Sequence, residues 1–475
     1  MTEATPDPLD ALLHPAGLHN DAHYLRAVTQ MADDQDVVVG ESIYSESGLK
    51  LLDKGARIDS SLYERLLQHK LNGSIDEQLL TSDAVDAAAV EALVIQLCAS
   101  HALGRQLVAH MGDKSYLLMA VLRHMRWPAA ASFKMTVMRS QRYELYEHSV
   151  LMMMAAVFLA SQQGMSMQDS ADVAAGALLH DVGMLFMPPS WANAAHKLTP
   201  QERKHLTAHS ITGMMVVRSA KVYPRSVEDA VMEHHERLDG TGYPRHLKSD
   251  EISPMGRILM LAEVVAAFYS KFQDMPAQRL SLVLRMNHNR FDKQLTEFVH
   301  ALLSQAMSEP LPCGEHNSAQ VRQVIATLGA VFQHWLVCKR KFPEKWQTLP
   351  GGRSGVYVDS RLLALEKSLA ESGSHPRQQA DWLAMFEQDP ASMTELVLIN
   401  REALWQIENC VQTCTRRWPQ VLQPKNTFDE AMRDWLQSCR DVLKGASPTP
   451  PSANEQASVL ALDSAGTDAL TTGEP

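Results

Sequence analysis

The sequence predicts a mainly α-helical protein. Between about residues 84 and 303, apolar residues recur every three to four positions, which is the period of one helix face. No run of alternating apolar and polar residues in this stretch indicates a sheet, so a helical bundle is expected in the middle of the chain. Helical periodicity resumes beyond residue 310. Strand signals are confined to a short segment near the N-terminus.

The N-terminal part of the chain predicts a polar leader at residues 1–30 and a small α+β unit at residues 31–80. Residues 36–44 and 47–55 have the composition of two short strands around a glycine-containing turn. A short helix should follow them. This unit offers no clustered histidines, cysteines or paired carboxylates, so it is not expected to be catalytic. Residues 81–132 predict a helical linker.

The C-terminal part predicts a second helical region at residues 306–445, with apolar periodicity suited to packing or to a partner. No chemistry is evident there. After Lys444 the composition changes to proline, serine and other small residues without lysine or arginine. Such a composition cannot bury enough apolar surface to fold, so residues 446–475 predict a disordered tail.

Length, charge and composition restrict the class of protein. The chain has 475 residues, enough for two or three domains. Its formal net charge of −11 argues against binding to polymeric nucleic acid, which requires a basic face. The first residues lack the features of a signal peptide, and the longest apolar run, residues 150–160, is too short to span a bilayer. We therefore expect a cytoplasmic protein with reduced cysteines.

The residues that carry chemistry lie between positions 144 and 263. Histidines and carboxylates recur there at the ends of apolar helical stretches, at Glu144, His148, His180, Asp181, His209, His234, His235 and Glu263. Taken singly, a histidine on an apolar helix is more often a core residue than a metal ligand. Glu263 is different, because it lies within an apolar run where an unpaired carboxylate is costly to bury.

The set as a whole indicates a metal site. Imidazole nitrogens combined with carboxylate oxygens suit iron, manganese or zinc, and a carboxylate can bridge two ions. Two divalent ions a few ångströms apart can clamp a phosphate oxygen, which is the two-metal logic of phosphoester hydrolysis. Glu144 and His148 are four residues apart, so on a helix they project from the same face.

Two motifs resemble the HD-GYP branch of the HD phosphohydrolase superfamily. One is His180-Asp-Val-Gly, followed by His209, and the other is His234-His-Glu-Arg-Leu-Asp-Gly-Thr-Gly-Tyr-Pro. The resemblance predicts a domain of the HD-superfamily helical bundle at residues 133–305. It implies a metal-dependent phosphodiesterase that hydrolyses cyclic di-GMP to a linear dinucleotide and/or GMP, using two or three divalent ions, iron or manganese. The segment at residues 48–55 resembles the small unit often found ahead of such domains.

The resemblance also implies roles for individual residues. His180 and Asp181 would be the catalytic pair, with Asp181 bridging the ions, and Glu144 matches the extra ligand of members that hold a third ion. The predicted metal ligands are Glu144, His148, His180, Asp181, His209, His234, His235 and Glu263. Tyr243, Gly242 and Arg237 are the predicted contacts to the substrate.

Three departures from the family pattern leave an alternative open. Glu263 stands where the family has aspartate, Met184 replaces a lysine that helps bind phosphate, and a downstream Arg-Pro-Tyr-Arg stretch is absent. The alternative is a weakly active or inactive protein that acts as a nucleotide-binding sensor or interaction module, with a diguanylate cyclase-like protein as a partner. A hydrolase of another phosphoester and a homodimeric assembly also stay open.

Overall fold

Helices make up most of the structure, a computed structural model, which confirms the predicted fold class. It describes residues 21–192, 196, 198–272, 274–307, 318–349, 351–379, 383 and 389–446. The predicted tail lies outside these residues except for Ala446, where the last helix ends. The chain divides into two compact units. Within the described ranges, the first contains residues 21–272 and 289–302, and the second contains residues 274–288 and 303–446.

The N-terminal part of the first unit is a small α+β arrangement, as predicted. Its elements are α1 (Ala22–Asp34), β1 (Val37–Val39), β2 (Ile43–Tyr44), β3 (Lys50–Leu52), α2 (Tyr63–Gln68) and β4 (Leu79–Thr81). Strand β1 pairs antiparallel with β4, with Val38 opposite Leu80, and β2 pairs antiparallel with β3. Strand β4 was not predicted, because three residues are too few to show an alternating pattern.

The predicted polar leader is wrong from Ala22 onward, and residues 1–20 lie outside the described part. Asp21 caps α1 by accepting hydrogen bonds from the backbone N–H groups of His23 and Tyr24. One side of the helix is buried, including Leu25 and Val28. Part of the predicted leader is therefore an amphipathic helix. It was not predicted because its apolar residues are few and are separated by polar ones.

A bundle of helices follows in the first unit. Its members are α3 (Ala87–Ser100), α4 (Ala102–Met111), α5 (Leu117–His124), α6 (Ala129–Gln141), α7 (Tyr143–Gln162), α8 (Met167–Leu179), α9 (Pro200–Thr207), α10 (His209–Ser219), α11 (Arg225–Glu233), α12 (Pro254–Lys271) and α14 (Lys293–Met307), of which residues 303–307 fall in the second unit. Helix α7 is buried on all sides from Ser149 to Ala160 and packs against α8 and α12. A helix that is apolar all round belongs in the centre of a core. Helices α3, α4 and α5, which form the predicted linker, also pack against α7 and therefore belong to this unit.

The second unit is helical, as predicted for the C-terminal region. It contains α13 (Pro276–Met286), α15 (Ser318–Lys339), α16 (Gly352–Glu371), α17 (Pro390–Arg417) and α18 (Thr427–Ala446). Helix α15 packs on α17 and α18, and α16 packs on α17. The described cysteines of the whole chain are free thiols, and burial raises the pKa of Cys338, Cys414 and Cys439 to about 12.

Helix α13 precedes the predicted end of the HD-type domain at residue 305, yet it belongs to the second unit. Its apolar residues Leu282 and Met286 join the core formed by the C-terminal helices. In the part of the chain that the structure describes, no single helix is long and apolar enough to cross a membrane. One pair bent by 91°, Ala87–Ser100 with Ala102–His124, meets that test by length and composition when taken together.

Candidate metal centre

Seven of the eight predicted metal ligands meet in two groups in the first unit. One group contains Asp181, His209, His234 and His235, and the other contains His148, His180 and Glu263. Within each group the potential ligand atoms lie within 4.8 Å of one another. The folding of α7, α8, α10, α11 and α12 against each other brings these residues together, because each helix carries a ligand or ends next to one.

Asp181 faces both groups. Its Oδ1 atom lies 3.2 Å from Nε2 of His209 and 3.7 Å from Nε2 of His234. Its Oδ2 atom lies 3.2 Å from Nε2 of His180, a member of the other group. A carboxylate with one oxygen toward each group has the arrangement that a bridging ligand requires.

Three of the histidines are held by the same kind of contact. In each, Nδ1 faces the backbone carbonyl three residues earlier, at the end of a helix: His180 to Ala177 (2.8 Å), His209 to Leu206 (2.6 Å) and His234 to Val231 (2.6 Å). A carbonyl oxygen can only accept a hydrogen bond, so Nδ1 must donate its proton. In the neutral ring, Nε2 then carries the lone pair, and it is the nitrogen turned toward Asp181.

The glycine of the His-Asp-x-Gly motif is required by a close approach between two segments. A Cβ atom on Gly183 would overlap the backbone oxygen of His209 and lie 2.9 Å from the backbone nitrogen of Gly213. Gly213 in turn faces the backbone oxygen of His180, which a Cβ there would approach to 3.0 Å. Two glycines therefore allow the segment after Asp181 to lie directly on α10.

Glu263 has the partner that its buried position demands. Its Oε2 atom lies 2.8 Å from Nε2 of His148 and 3.4 Å from Nε2 of His180. Burial alone would lower the pKa of His148, but the Glu263 carboxylate outweighs it and the pKa rises to about 9. For Glu263, burial acts to raise the pKa, yet the charge and hydrogen bond of His148 lower it to about 2.

The other group combines an ionised carboxylate with imidazoles whose pKa values differ. Burial acts to lower the pKa of His209, but the hydrogen bond and charge of Asp181 raise it above its usual value. Burial acts to raise the pKa of Asp181, but His180 and the facing rings of His209 and His234 hold it well below its usual range. Burial lowers the pKa of His234 to about 4. Burial and the neighbouring His234 hold the pKa of His235 well below its usual range. Neutral imidazoles and an ionised carboxylate are the forms that bind a metal ion.

The residues fit divalent metal ions. Among the described residues, Nδ1 of His235 is buried without a hydrogen-bond partner, and Nε2 of His180 is buried with only the carboxylates of Asp181 and Glu263 nearby, at 3.2 and 3.4 Å. Buried nitrogens of this kind are costly unless something coordinates them. The surrounding donors are nitrogen and carboxylate oxygen, a mixture that suits first-row transition metals.

Glu144 is the predicted ligand that joins neither of these groups. It begins the first turn of α7, one turn before His148, and it is exposed. The four-residue spacing places the side chains of Glu144 and His148 on one helix face, but Glu144, nearer the start of the helix, is exposed to solvent. A third ion at Glu144 therefore stays a prediction.

The Gly-Tyr-Pro loop lies against the metal centre. The ring of Tyr243 is buried and stacks on His235, with ring centroids 4.6 Å apart and planes 16° from parallel. A Cβ on Gly242 would overlap backbone atoms of Glu236 and Arg237, so only glycine fits there. The loop thus lies beside the group that contains His235, as its predicted role in substrate binding requires.

Arg237, a predicted contact to the substrate, is buried beside the Gly-Tyr-Pro loop, and its contact with substrate stays a prediction. Its side chain is only 2% exposed, and the guanidinium lies 5.5 Å from the ring centre of Phe291. One of its nitrogens donates to the backbone oxygen of Glu236. Burial lowers the pKa of Arg237 to about 10. These contacts hold the side chain of Arg237 against Glu236 and Phe291, next to the Gly-Tyr-Pro loop.

Two residues that hold the segments around the candidate metal centre in place were not predicted from the sequence. The buried Glu236 accepts hydrogen bonds from the backbone N–H groups of Arg245 (2.7 Å) and Leu247 (3.0 Å), which closes the Gly-Tyr-Pro loop. Arg142, just before α7, donates to the backbone oxygens of Met184 (2.6 Å) and Met187. Glu236 could have been predicted from the sequence, because it directly follows the two histidines of the His-His-Glu motif. The residues next to Arg142 in sequence do not indicate its role.

Comparisons with known proteins agree with this site. A family model described as an HD domain matches residues 133–295, about a third of the chain. Cyclic di-GMP phosphodiesterase PA4108 of Pseudomonas aeruginosa is 28% identical over 196 residues, 41% of this chain and 46% of that protein. Cyclic di-GMP phosphodiesterase PdeB of Borreliella burgdorferi is 23% identical over 221 residues, 44% of this chain and 58% of that protein.

A further relative is 3'3'-cGAMP-specific phosphodiesterase 2 of Vibrio cholerae, 32% identical over 114 residues, 24% of this chain and 22% of that protein. The matches thus span about half of the length of these relatives or less. The family model covers the segment that carries the His180-Asp181 and Gly-Tyr-Pro motifs. Residues 133–295 of this chain therefore belong to the HD domain family, and their motifs are those of its HD-GYP branch.

Proposed function

We propose that this domain is a metal-dependent phosphodiesterase that hydrolyses a cyclic dinucleotide, with cyclic di-GMP as the preferred substrate and a linear dinucleotide and/or GMP as products. The observation that carries the proposal is the position of Asp181, whose two oxygens face two separate groups of ligands. The names of the relatives support the substrate class, since they are phosphodiesterases of cyclic di-GMP or 3'3'-cGAMP.

The two groups would each hold a divalent ion, iron or manganese, with Asp181 shared between them. Bound ions of this kind supply a nucleophilic water near neutral pH and neutralise the charge that develops on the phosphate. The protein's part is to orient the ligand nitrogens toward the ions. The backbone carbonyls keep the proton on Nδ1 of His180, His209 and His234, and His148 must release its proton before its Nε2 can bind.

The loop around Tyr243 would form the wall that faces the substrate. Its ring is fixed on His235, so a phosphate bound at that group would lie next to the loop. Gly242 keeps the loop free of a side chain at this point. We assign Arg237 an indirect part, because its guanidinium packs on Phe291 beneath the loop.

The test is turnover of cyclic di-GMP by protein purified without oxygen and loaded with iron or manganese. We expect two bound ions per chain in the wild type and hydrolysis to the linear dinucleotide. His180→Ala and Asp181→Ala should lower kcat by about 100-fold or more, because each removes a ligand. His124→Ala is the matched control, since His124 is exposed on α5 and lies outside both groups. A wild-type protein that binds two ions without any turnover contradicts the proposal.

A second candidate function is a sensor that binds the nucleotide with little or no turnover. It is favoured by Met184, which is 8% exposed in the turn after Asp181 and replaces a lysine of the family pattern. A methionine provides no positive charge for a phosphate, so ground-state and transition-state binding both lose a charge-assisted contact.

Met184→Lys tests this account directly. We expect the variant to bind cyclic di-GMP more tightly or to hydrolyse it faster than the wild type, because it adds a cation beside the metal centre. Met184→Leu is the control for the change in shape. Isothermal titration and turnover assays measure both effects. If lysine changes neither affinity nor rate while the variant stays folded, the missing cation does not explain reduced activity.

A further inference from the structure

The second unit contains a cavity of about 520 Å³ that is separate from the metal centre. One face of α15 forms its floor: residues 322, 325, 326, 329, 332 and 333 recur at the spacing of a single helix face. The remaining lining residues are Glu366, His375, Pro376, Arg377 and Leu383. This volume falls within the range of small-molecule sites in proteins.

Gly329 keeps the middle of this floor open. A Cβ at this position would meet only Pro376, at 3.7 Å, so packing does not require glycine. Glycine inside a helix is less favourable than alanine by roughly 0.5–1 kcal/mol. The helix therefore carries a destabilising residue where a side chain would narrow the cavity.

The lining has an apolar base and a cationic margin. Ile325, Phe332 and Leu383 are buried, and the ring of Phe332 lies parallel to that of His375, with centroids 6.2 Å apart. Arg322 and Arg377 are exposed at the margin. The carboxylate in the described lining, Glu366, lies 3.3 Å from Nε2 of His375.

We propose that this cavity is a binding site for a small organic anion with an apolar body. The body would occupy the space over Gly329, between Phe332 and Leu383, and the acid group would pair with Arg377. The proposal is independent of the phosphodiesterase function, because it concerns residues of the second unit.

The probe for this site is 8-anilinonaphthalene-1-sulfonate, an aromatic anion whose fluorescence rises on binding. The full chain should bind one molecule saturably. Gly329→Leu, which fills the cavity, should weaken binding by about tenfold or more. Gly329→Ala adds a single methyl group and should weaken it much less. Circular dichroism and the Tm establish that each variant is folded.

The charge is tested separately. Arg377→Glu should weaken binding of the sulfonate several-fold but leave binding of its neutral analogue, N-phenyl-1-naphthylamine, unchanged. Arg340→Glu, an exposed change beyond the cavity, is the control. If folded Gly329→Leu and Arg377→Glu proteins bind the sulfonate as the wild type does, or if no saturable binding occurs, the site proposal is wrong. If Arg377→Glu weakens both probes equally, the cavity does not select an anion.

Discussion

Glu263 is a buried carboxylate in the middle of helix α12. Its place in an apolar run predicts a buried carboxylate that requires a partner. The structure provides one in His148, on a helix more than a hundred positions earlier, at 2.8 Å. Removing either member leaves the other buried without its partner, which is more costly than losing an exposed ion pair.

This pair predicts how the stability of the metal-free protein depends on pH. The folded pKa of His148, about 9, lies above its ordinary value of 6.5, so its contribution is complete below pH 6.5 and is lost as the pH rises through 9. The folded pKa of Glu263, about 2, lies below 4.5, so its contribution is complete above pH 4.5 and is lost as the pH falls through 2. Both contributions are complete between pH 4.5 and 6.5.

Urea unfolding of chelator-treated wild type and His148→Gln measures this effect. The difference in free energy of unfolding should decrease between pH 6.5 and 9 by an amount on the order of 1–3 kcal/mol. His124→Gln, an exposed substitution, should show no such dependence. A difference between wild type and His148→Gln that stays constant over this range would falsify the assignment of the His148 pKa.

At the scale of elements, the candidate centre is built from helix ends around one central helix. His180 and His234 cap the C-termini of α8 and α11, and His209 begins α10. Helix ends leave backbone carbonyls without intrahelical partners, and the histidine rings satisfy three of them. The same contact therefore stabilises the helix end and orients the ligand.

Gly183→Ala tests whether the contact between the turn after Asp181 and α10 positions the ligands. The added methyl group would overlap backbone atoms of His209, which cannot move away as a flexible side chain could. We expect a loss of about 1–3 kcal/mol in the free energy of unfolding and fewer bound ions per chain. Gly329→Ala is the control, since its methyl group meets only Pro376 at 3.7 Å. If Gly183→Ala has the stability and the metal content of the wild type, the turn after Asp181 can move away from α10 without displacing the ligands.

At the scale of the whole molecule, the two units differ in what holds their cores together. The first unit buries a cluster of histidines and carboxylates that need a partner, whereas the core of the second is mainly apolar, with residues such as Leu328 and Leu436, although Asp429 is also buried there. A ligand that binds only the folded state stabilises it in proportion to the logarithm of its concentration. Metal should therefore contribute to the stability of the first unit.

Metal removal should lower the Tm of the wild-type chain. At a free ion concentration of 100 times Kd, binding contributes about 2.7 kcal/mol per site, which is lost on addition of a chelator. Asp181→Ala removes the carboxylate that faces both groups, so its Tm should be lower than that of the metal-loaded wild type and less sensitive to chelator. Differential scanning calorimetry with and without chelator measures both. An equal shift in wild type and variant would mean that the stabilising ion binds elsewhere.

Features encoded in short stretches of sequence were predictable. The period of the apolar residues predicts the helices, and the two motifs predict which histidines and carboxylates matter, because both signals lie within a few turns of chain. Helix α1 was not predicted, because its apolar residues are sparse. The role of Arg142 was not predicted either, because its partners are backbone oxygens of a turn distant in sequence. The four-residue spacing of Glu144 and His148 was equally local, yet Glu144 is exposed.

By itself, then, the sequence determined the helical class, the family of the central segment and the chemical types in its candidate centre. The tertiary structure decided how those residues are grouped, with Asp181 between two sets of ligands, His148 paired with Glu263, and Tyr243 stacked on His235. It also decided that Arg237 is buried and that a cavity forms over Gly329. The physical reason is that these contacts join helices distant in sequence, and only the packing of their apolar faces sets which side chains meet.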